Sequence, residues 1–224
     1  MDVVIKTAPQ IVTRTPCPFI NTALKRMIIA GKIRPEAKKI SVIELVDFSA
    51  KNFNIDRALM ETLANGRADA NSDIVISDLL DPTQFPAHRG SLARVDATTP
   101  EEFAQVDDKR LDVLLTNKQF STALKINGET HNYLSYEQLK EYQTNYCWAQ
   151  SDMSCKDRIP AKAEAHLLWA FFGAYRVKSS DGTDMIPLDL VDDFLRNSTL
   201  PEDFKPNTVD PASRCSVIWA VLTE

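Results

Sequence analysis

One cysteine stands between two prolines just before a predicted helix, in the run Pro16-Cys17-Pro18. Apolar residues recur at helical spacing over residues 20–28 and stop before Gly31, which predicts an amphipathic helix. Proline suits the first helical position, so Cys17 is expected at the N-cap, where free backbone N–H groups and the helix dipole point at its sulfur. A thiol in this setting is expected to have a lowered pKa, which suits either a nucleophile or a metal ligand.

A second candidate for chemistry, Glu164, lies on the apolar face of another predicted helix. Leu167, Leu168 and Phe171 follow it at i+3, i+4 and i+7, so its carboxylate is expected to point toward the core. A carboxylate in apolar surroundings needs a hydrogen-bonding partner, and positioned carboxylates of this kind act as general acids or bases. The alternative is a glutamate at the edge of the apolar stripe, whose side chain reaches the solvent.

A histidine and an aspartate, His88 and Asp96, lie in the segment HRGSLARVD, residues 88–96. With Cys17 they could form the base and the orienting acid of a thiol hydrolase, in which the cysteine is the nucleophile. If Cys17 is instead a metal-bound thiolate, His88 and Glu164 could be acid–base groups above the metal. The residues alone leave both kinds of site open.

The composition limits the classes of function. The chain has 224 residues, of which 44% are hydrophobic and 25% are charged, a balance that supports one folded domain over residues 1–224. The net charge is −5 and no basic patch is interleaved with aromatic residues, so nucleic acid is not expected as a partner. No apolar run is long enough for a membrane span, and the N-terminus lacks the pattern of a secretory signal. A secreted protein whose signal has been removed and an intracellular protein both fit, so the compartment stays open.

The four cysteines do not have the spacing of a zinc site. Cys147 and Cys155 flank a polar stretch and would form a disulfide in an oxidising compartment. Free buried thiols are the other interpretation of these two residues.

Helix signals dominate the rest of the chain. Capping boxes, in which Ser or Thr is followed three residues later by Glu or Gln, begin at Ser41, Thr99 and Ser135. Two prolines each begin a further helical pattern, over residues 160–174 and 187–197. Alternating strand patterns are scarce, and residues 111–128 fit neither a helix nor a strand clearly. The expected fold class is therefore mainly α, as a single helical domain.

Taken together, these segments resemble the heme-thiolate peroxidases, the family of fungal chloroperoxidase and the unspecific (aromatic) peroxygenases, and among them the short type. In that family a Pro-Cys-Pro motif near the N-terminus is followed by a helix, as at Cys17. An acidic-His/Gly-Asp motif and a Ser-Leu/Phe-Ser-Arg run come next, which correspond to AHR at residues 87–89 and SLAR at residues 91–94. A glutamate in an apolar helix follows, as at Glu164. The three motifs occur in the order that the family has.

The resemblance implies that the chain binds heme b and uses hydrogen peroxide. Cys17 would be the axial thiolate ligand of the heme iron, where it would push electron density toward the iron and assist cleavage of the O–O bond. Glu164 would move the peroxide proton from one oxygen to the other. His88 would orient this carboxylate, and Asp96 would fix the tautomer of His88.

The resemblance also implies the surroundings of the cofactor and the substrate. Arg89 and Ser91 would join Cys17 in binding the cofactor. Positions that line the distal pocket in the family are occupied here by Pro86, Ala163 and Leu167. Since these residues are small or aliphatic, the pocket would accept a small apolar or aromatic substrate.

Two departures from the family pattern put its structural cation in doubt. The acidic residue that helps to bind magnesium or manganese is Ala87 here, and the aspartate that usually follows is Arg89. Ser91 remains, but one hydroxyl cannot hold a hard divalent cation that requires several oxygen ligands. Arg89 would instead pair with a heme propionate, whereas the alternative is an exposed loop cation.

The expected function is therefore oxidation or oxygenation of small organic substrates by hydrogen peroxide, with halide oxidation as a further reaction. Two alternatives stay open. A thiol hydrolase built on Cys17, His88 and Asp96 would leave Glu164 without a role. A heme-binding protein without catalysis would need neither the glutamate nor the histidine.

Overall fold

Helices make up most of the structure. The computed structural model describes residues 17–64, 73–75, 90–96, 105–149, 151, 153 and 155–208. Within these residues the fold is mainly α, as the sequence predicts, and an antiparallel sheet of four short strands accompanies the helices. No helix in the described part of the chain is long and apolar enough to cross a membrane.

The first helix, α1 (Pro18–Ile29), begins immediately after Cys17, as predicted. Cys17 is its N-cap, with the extended backbone angles φ −90° and ψ 112°, and Pro18 occupies the first turn. The predicted apolar stripe is buried at Ile20, Ala23, Leu24 and Met27. The sulfur of Cys17 is thereby placed at the positive end of a helix dipole.

Two further helices pack beside α1. A short strand, β1 (Lys39–Ser41), leads into α2 (Val42–Phe53), which is followed by α3 (Arg57–Ala64), and β1 pairs antiparallel with β2 (Asp73–Val75). The hydroxyl of Ser41 accepts a hydrogen bond from the N–H of Glu44 at 3.5 Å, so this serine caps α2 as predicted. Since α2 contacts both α1 and α3, the three helices form one packed group.

An ion-pair network joins α4 (Asp108–Thr116) to α7 (Leu188–Asn197). Arg196 on α7 contacts Asp108 and Asp112 on α4, and its Nη2 lies 2.7 Å from the Asp112 carboxylate. Because both carboxylates are largely exposed, each pair contributes little by itself, about 0.2–1 kcal/mol. The network links α7 to α4, the helix that also carries Arg110.

The four-stranded sheet was not expected from the sequence. Its strands are β3 (Thr122–Ile126), β4 (Glu129–Ser135), β5 (Val177–Lys178) and β6 (Asp184–Pro187), in the order β3-β4-β6-β5. Asn127 and Gly128 form the turn between β3 and β4, with φ values of +54° and +93°, as in an Asn-Gly hairpin. The first four residues of β4 are all exposed, so they lack the alternation that marks a strand in a sequence.

The next helix, α5 (Tyr136–Glu141), begins with the predicted capping box. The hydroxyl of Ser135 accepts the N–H of Gln138 at 3.1 Å, and the side chain of Gln138 accepts the N–H of Ser135 at 3.0 Å. The helix continues directly as a π-helix, Tyr142–Cys147, in which each N–H bonds five residues back instead of four.

The helix that carries Glu164, α6 (Cys155–Phe171), begins earlier than predicted. The predicted range was 160–174 with Pro160 at its start, but Pro160 lies inside the helix. The prediction was wrong because proline has a helical φ and lacks only its own N–H, so a helix can tolerate it near its N-terminal end. The last residues of the predicted range form a separate 3-10 turn, Gly173–Tyr175.

An aromatic cluster in the core holds α1 against α6. The ring of Phe19 lies 5.1 Å from the ring of Phe171 and 4.9 Å from that of Phe194. The rings of Phe171 and Phe194 are themselves 5.1 Å apart, and all three side chains are buried. Phe19 follows Cys17 closely, and Phe171 lies about two turns after Glu164. The cluster therefore brings the helix of the cysteine and the helix of the glutamate together.

Candidate active site

The predicted site residues that the structure describes lie on three elements. Cys17 is at the start of α1, and Ala163, Glu164 and Leu167 are on α6. Ser91 and Asp96 are on the segment of residues 90–96, here called the 90–96 loop. Outside the described residues are Pro86, His88 and Arg89, together with the capping box predicted at Thr99. Their roles stay predictions.

The 90–96 loop holds the carboxylate of Glu164. The hydroxyl of Ser91 donates a hydrogen bond to Oε1 at 3.0 Å, and the N–H of Leu92 donates to Oε2 at 2.9 Å. Both oxygens are therefore fixed by protein donors, and the residue is half-buried. The alternative of a glutamate that reaches the solvent from the edge of the helix is wrong, because the carboxylate is bound across the interface of α6 and the loop.

Ser91 has a contact that the sequence did not predict. Its hydroxyl oxygen accepts a weak hydrogen bond from the N–H of Ala93 at 3.3 Å while its proton is donated to Glu164. The side chain thus links the loop backbone to the carboxylate. Its predicted part in binding the cofactor stays a prediction.

Burial has the largest effect on the pKa of the Cys17 thiol. Protein atoms surround the sulfur, and the resulting loss of hydration raises its pKa to about 11, although the N–H groups of Phe19 and Ile20 act to lower it. The negative charge of Glu164 adds to the increase. The expected lowering of this pKa is wrong, because the helix N-terminus compensates only part of the desolvation cost. A thiol with this pKa is a poor nucleophile at neutral pH, whereas a metal ion deprotonates a coordinating thiol outright.

Arg94 supplies a buried positive charge that the sequence analysis missed. Its side chain is only 4% exposed, and burial lowers its pKa, while the charges of Glu164 and Cys17 act to raise it. In return, Arg94 lowers the pKa of Cys17. The three groups therefore share one electrostatic environment. In the sequence, Arg94 is marked only by its position at the end of the SLAR run, and that position does not indicate that the side chain is buried.

Asp96 joins the two ends of the 90–96 loop to α4. Its Oδ1 accepts the N–H of Gly90 at 2.8 Å, and its Oδ2 accepts hydrogen bonds from Arg110 and from the hydroxyl of Ser151. The aspartate is thus a structural anchor of the loop. Its predicted effect on the tautomer of His88 is a further role that stays a prediction.

Gly90 lies where a side chain would collide with its neighbours. Its φ is +69°, and a Cβ built on it would meet the sulfur of Met153 and would lie 2.8 Å from Cδ1 of Trp148. Glycine is therefore required for two separate reasons, a left-handed backbone and a close approach. The tight packing fixes the start of the loop that holds Glu164.

We expect Gly90→Ala to lower the free energy of unfolding by about 2–5 kcal/mol, because backbone strain of about 1–2 kcal/mol adds to overpacking of about 1–3 kcal/mol. Chemical denaturation measures this change. Gly31→Ala is the matched control, since Gly31 has a similar φ of +65° and nothing within 4 Å of its Cβ position. Equal losses of stability in the two variants would show that the contacts with Trp148 and Met153 do not matter.

The two predicted pocket residues on α6 differ in exposure. Leu167 is buried and belongs to the main hydrophobic cluster, whereas Ala163 is half-buried and packs against that cluster. Leu167 follows Glu164 by three residues, so the two share one side of α6, as the helical period predicts. Their contact with a substrate stays a prediction.

Two further predictions concern a disulfide between Cys147 and Cys155 and the structural cation of the family. Cys147 is a free and fully buried thiol, which agrees with the free-thiol interpretation of this residue. Within the described ranges, no three side chains of His, Cys, Asp or Glu come together in a way that could hold a metal ion. The predicted loss of the structural cation depends on residues 87 and 89, which lie outside those ranges.

Comparison with known proteins identifies the family. A sequence model described as "Peroxidase, family 2" matches residues 6–209, which is nearly the whole chain. A search of curated proteins found no match to the chain. The matched range includes the N-cap cysteine, the 90–96 loop and the glutamate that the loop binds. The chain therefore belongs to family 2 of the peroxidases and is a peroxide-dependent oxidoreductase.

Proposed function

We propose that the chain is a heme-thiolate peroxidase or peroxygenase, which uses hydrogen peroxide to oxidise or oxygenate small organic substrates. The observation that carries the proposal is the carboxylate of Glu164, fixed by Ser91 and the N–H of Leu92. The charge of this carboxylate acts on the half-buried thiol of Cys17. A thiol and an acid–base group in one site are what peroxide chemistry at a thiolate-bound iron requires.

The donor set at the start of α1 fits a heme with one thiolate ligand. Cys17 offers a single soft ligand, and the N–H groups of Phe19 and Ile20 favour its ionised form. Heme b, when bound, would supply the iron at which the O–O bond of peroxide is cleaved. Arg89 and Ser91 are the other residues proposed to bind it.

Glu164 is suited to gain and lose a proton. Its oxygens accept hydrogen bonds from the hydroxyl of Ser91 and the N–H of Leu92, and a carboxylate held in this way can act as a general acid or base. The hydroxyl of Ser91 can rotate, so it can donate to the charged form and accept from the neutral form. The N–H of Leu92 keeps the carboxylate in place during this change. His88 would orient this carboxylate further, and Asp96 would fix the tautomer of His88.

The described contacts favour this proposal over the two alternatives. A thiol hydrolase would need an ionised Cys17, but burial raises its pKa to about 11. It would also leave the carboxylate of Glu164, which Ser91 and Leu92 hold in place, without a role. A carrier without catalysis would not require a carboxylate bound on both oxygens. Pro86, Ala163 and Leu167 are proposed to line the pocket for a small apolar or aromatic substrate, and halides would be oxidised at the same site.

An absorption spectrum of the purified protein tests the proposal. We expect a Soret band, and a red-shifted band of the ferrous–CO form that reports thiolate ligation. Addition of peroxide and a phenol should then give oxidised product. A protein that binds no heme would contradict the proposal, and a heme protein that does not turn over with peroxide would be a carrier.

A further inference from the structure

Arg110, a buried arginine on α4, is in direct contact with the 90–96 loop. Nη1 of Arg110 donates to the backbone C=O of Ser91 at 3.1 Å and to that of Arg94 at 3.2 Å. Its Nη2 donates to the carboxylate of Asp96 and to the hydroxyl of Ser151 at 3.3 Å. One guanidinium group therefore contacts the loop at three positions.

A tyrosine completes the support of the loop. The hydroxyl of Tyr142 lies 3.2 Å from the C=O of Leu92 and 2.8 Å from the C=O of Arg110. The backbone oxygens of Ser91, Leu92 and Arg94 are thus all bound from outside the loop. Because these oxygens face α4 and the π-helix, the hydroxyl of Ser91 and the N–H of Leu92 are free to face Glu164 instead.

The charge of Arg110 is retained despite its burial. The side chain of Arg110 is 5% exposed, and burial opposes its ionisation, but Asp96 raises its pKa above the ordinary value. A second carboxylate, that of Asp107, lies 3.1 Å from Nε. A planar guanidinium with five donors can satisfy two carboxylates and two carbonyls together, which the single ammonium of a lysine cannot do.

We propose that Arg110 is a positioning residue for the reaction with peroxide, because it holds the 90–96 loop in the one arrangement that fixes the carboxylate of Glu164. Arg110 does not touch the carboxylate itself. It acts through the peptide group between Ser91 and Leu92, whose C=O accepts a hydrogen bond from Arg110 and whose N–H donates one to Glu164. The inference rests on the acid–base role proposed for Glu164 and adds the residue that makes this role possible.

The first test does not depend on catalysis. Hydrogen–deuterium exchange of the full-length protein, followed by mass spectrometry, reports the protection of the peptide that contains Leu92. Arg110→Lys should speed this exchange about tenfold, because a lysine cannot replace all of the charge-assisted hydrogen bonds that the guanidinium makes to the loop. Arg196→Lys is the matched control: Arg196 also contacts α4, through Asp108 and Asp112, but not the 90–96 loop. Unchanged exchange at Leu92 in Arg110→Lys would overturn the proposal.

The second test is a double-mutant cycle on the rate constant for reaction with peroxide. Arg110→Lys should lower this rate about tenfold when Glu164 is present, and should have almost no further effect in a Glu164→Gln background. An equal loss in both backgrounds would show that Arg110 does not act through Glu164. A Glu164→Gln protein with the parental rate would instead refute the proposed function, while the exchange experiment would still report on Arg110.

A second variant covers the case in which Arg110→Lys does not fold. Asp96→Asn keeps the shape of the anchor and an oxygen for the N–H of Gly90, but it removes the charge that pairs with Arg110. It should speed exchange at Leu92 and slow the peroxide reaction in the same way, by a smaller factor. If it changes neither the exchange nor the rate, the Arg110–Asp96 pair does not position the glutamate.

Discussion

Glu164→Gln is expected to slow the reaction with hydrogen peroxide by about 100-fold or more, the usual loss when a positioned acid–base group is removed. Glutamine is uncharged and cannot accept the peroxide proton. The fold should tolerate the change, because the amide oxygen can accept the N–H of Leu92. The amide NH₂ can then donate to the hydroxyl of Ser91, which rotates to accept it.

Stopped-flow mixing with peroxide measures this rate, and the absorption spectrum shows whether the heme site is intact. Glu141→Gln is a suitable control, since Glu141 accepts a hydrogen bond from Gln119 away from the site. The control should react at the parental rate. A parental rate in Glu164→Gln would mean that the carboxylate only joins α6 to the 90–96 loop.

Cys17→Ala is expected to abolish the red-shifted ferrous–CO band, because it removes the proposed thiolate ligand. The secondary structure should survive, since the N-cap backbone is extended and alanine adopts that conformation readily. Cys17→His should allow heme to bind but should also lose the thiolate spectrum, because imidazole is a neutral ligand.

Cys147→Ala is the matched control for this experiment. Cys147 is the other described free cysteine, it is fully buried, and burial raises its pKa to about 12, so both thiols resist ionisation in the same way. Its replacement should leave the spectrum unchanged. An unchanged ferrous–CO spectrum in Cys17→Ala would contradict the assignment of the ligand.

Features that depend on neighbouring residues were predictable from the sequence. The prolines beside Cys17 indicated the start of α1, and Ser135 with Gln138 indicated the start of α5. The helical period placed Glu164 on the inner side of α6. Each of these inferences uses contacts within one or two helical turns, where spacing alone determines which groups meet.

Features that depend on distant contacts were not predictable in the same way. Ser91 and Leu92 bind Glu164 from more than seventy positions earlier in the chain, and Arg110 supports them from a third segment. The thiol of Cys17 shows the same limit. Its helix position was predicted correctly, but its pKa depends on how closely other segments surround the sulfur, and this burial outweighs the helix N-terminus.

The π-helix beside the site has a consequence for how related chains can differ in length. The N–H of Trp148 donates to the C=O of Gln143 at 2.9 Å, five residues earlier, so this segment holds one residue more than an α-helix of equal span. Tyr142 at its start supports Leu92, and Trp148 just after it packs on Gly90. Deleting the extra residue would restore an α-helix of the same span, so the residues on either side of the deletion would keep their positions. A homologue that is one residue shorter in this segment would therefore keep both contacts that brace the loop, and chain length can change here without disturbing the site.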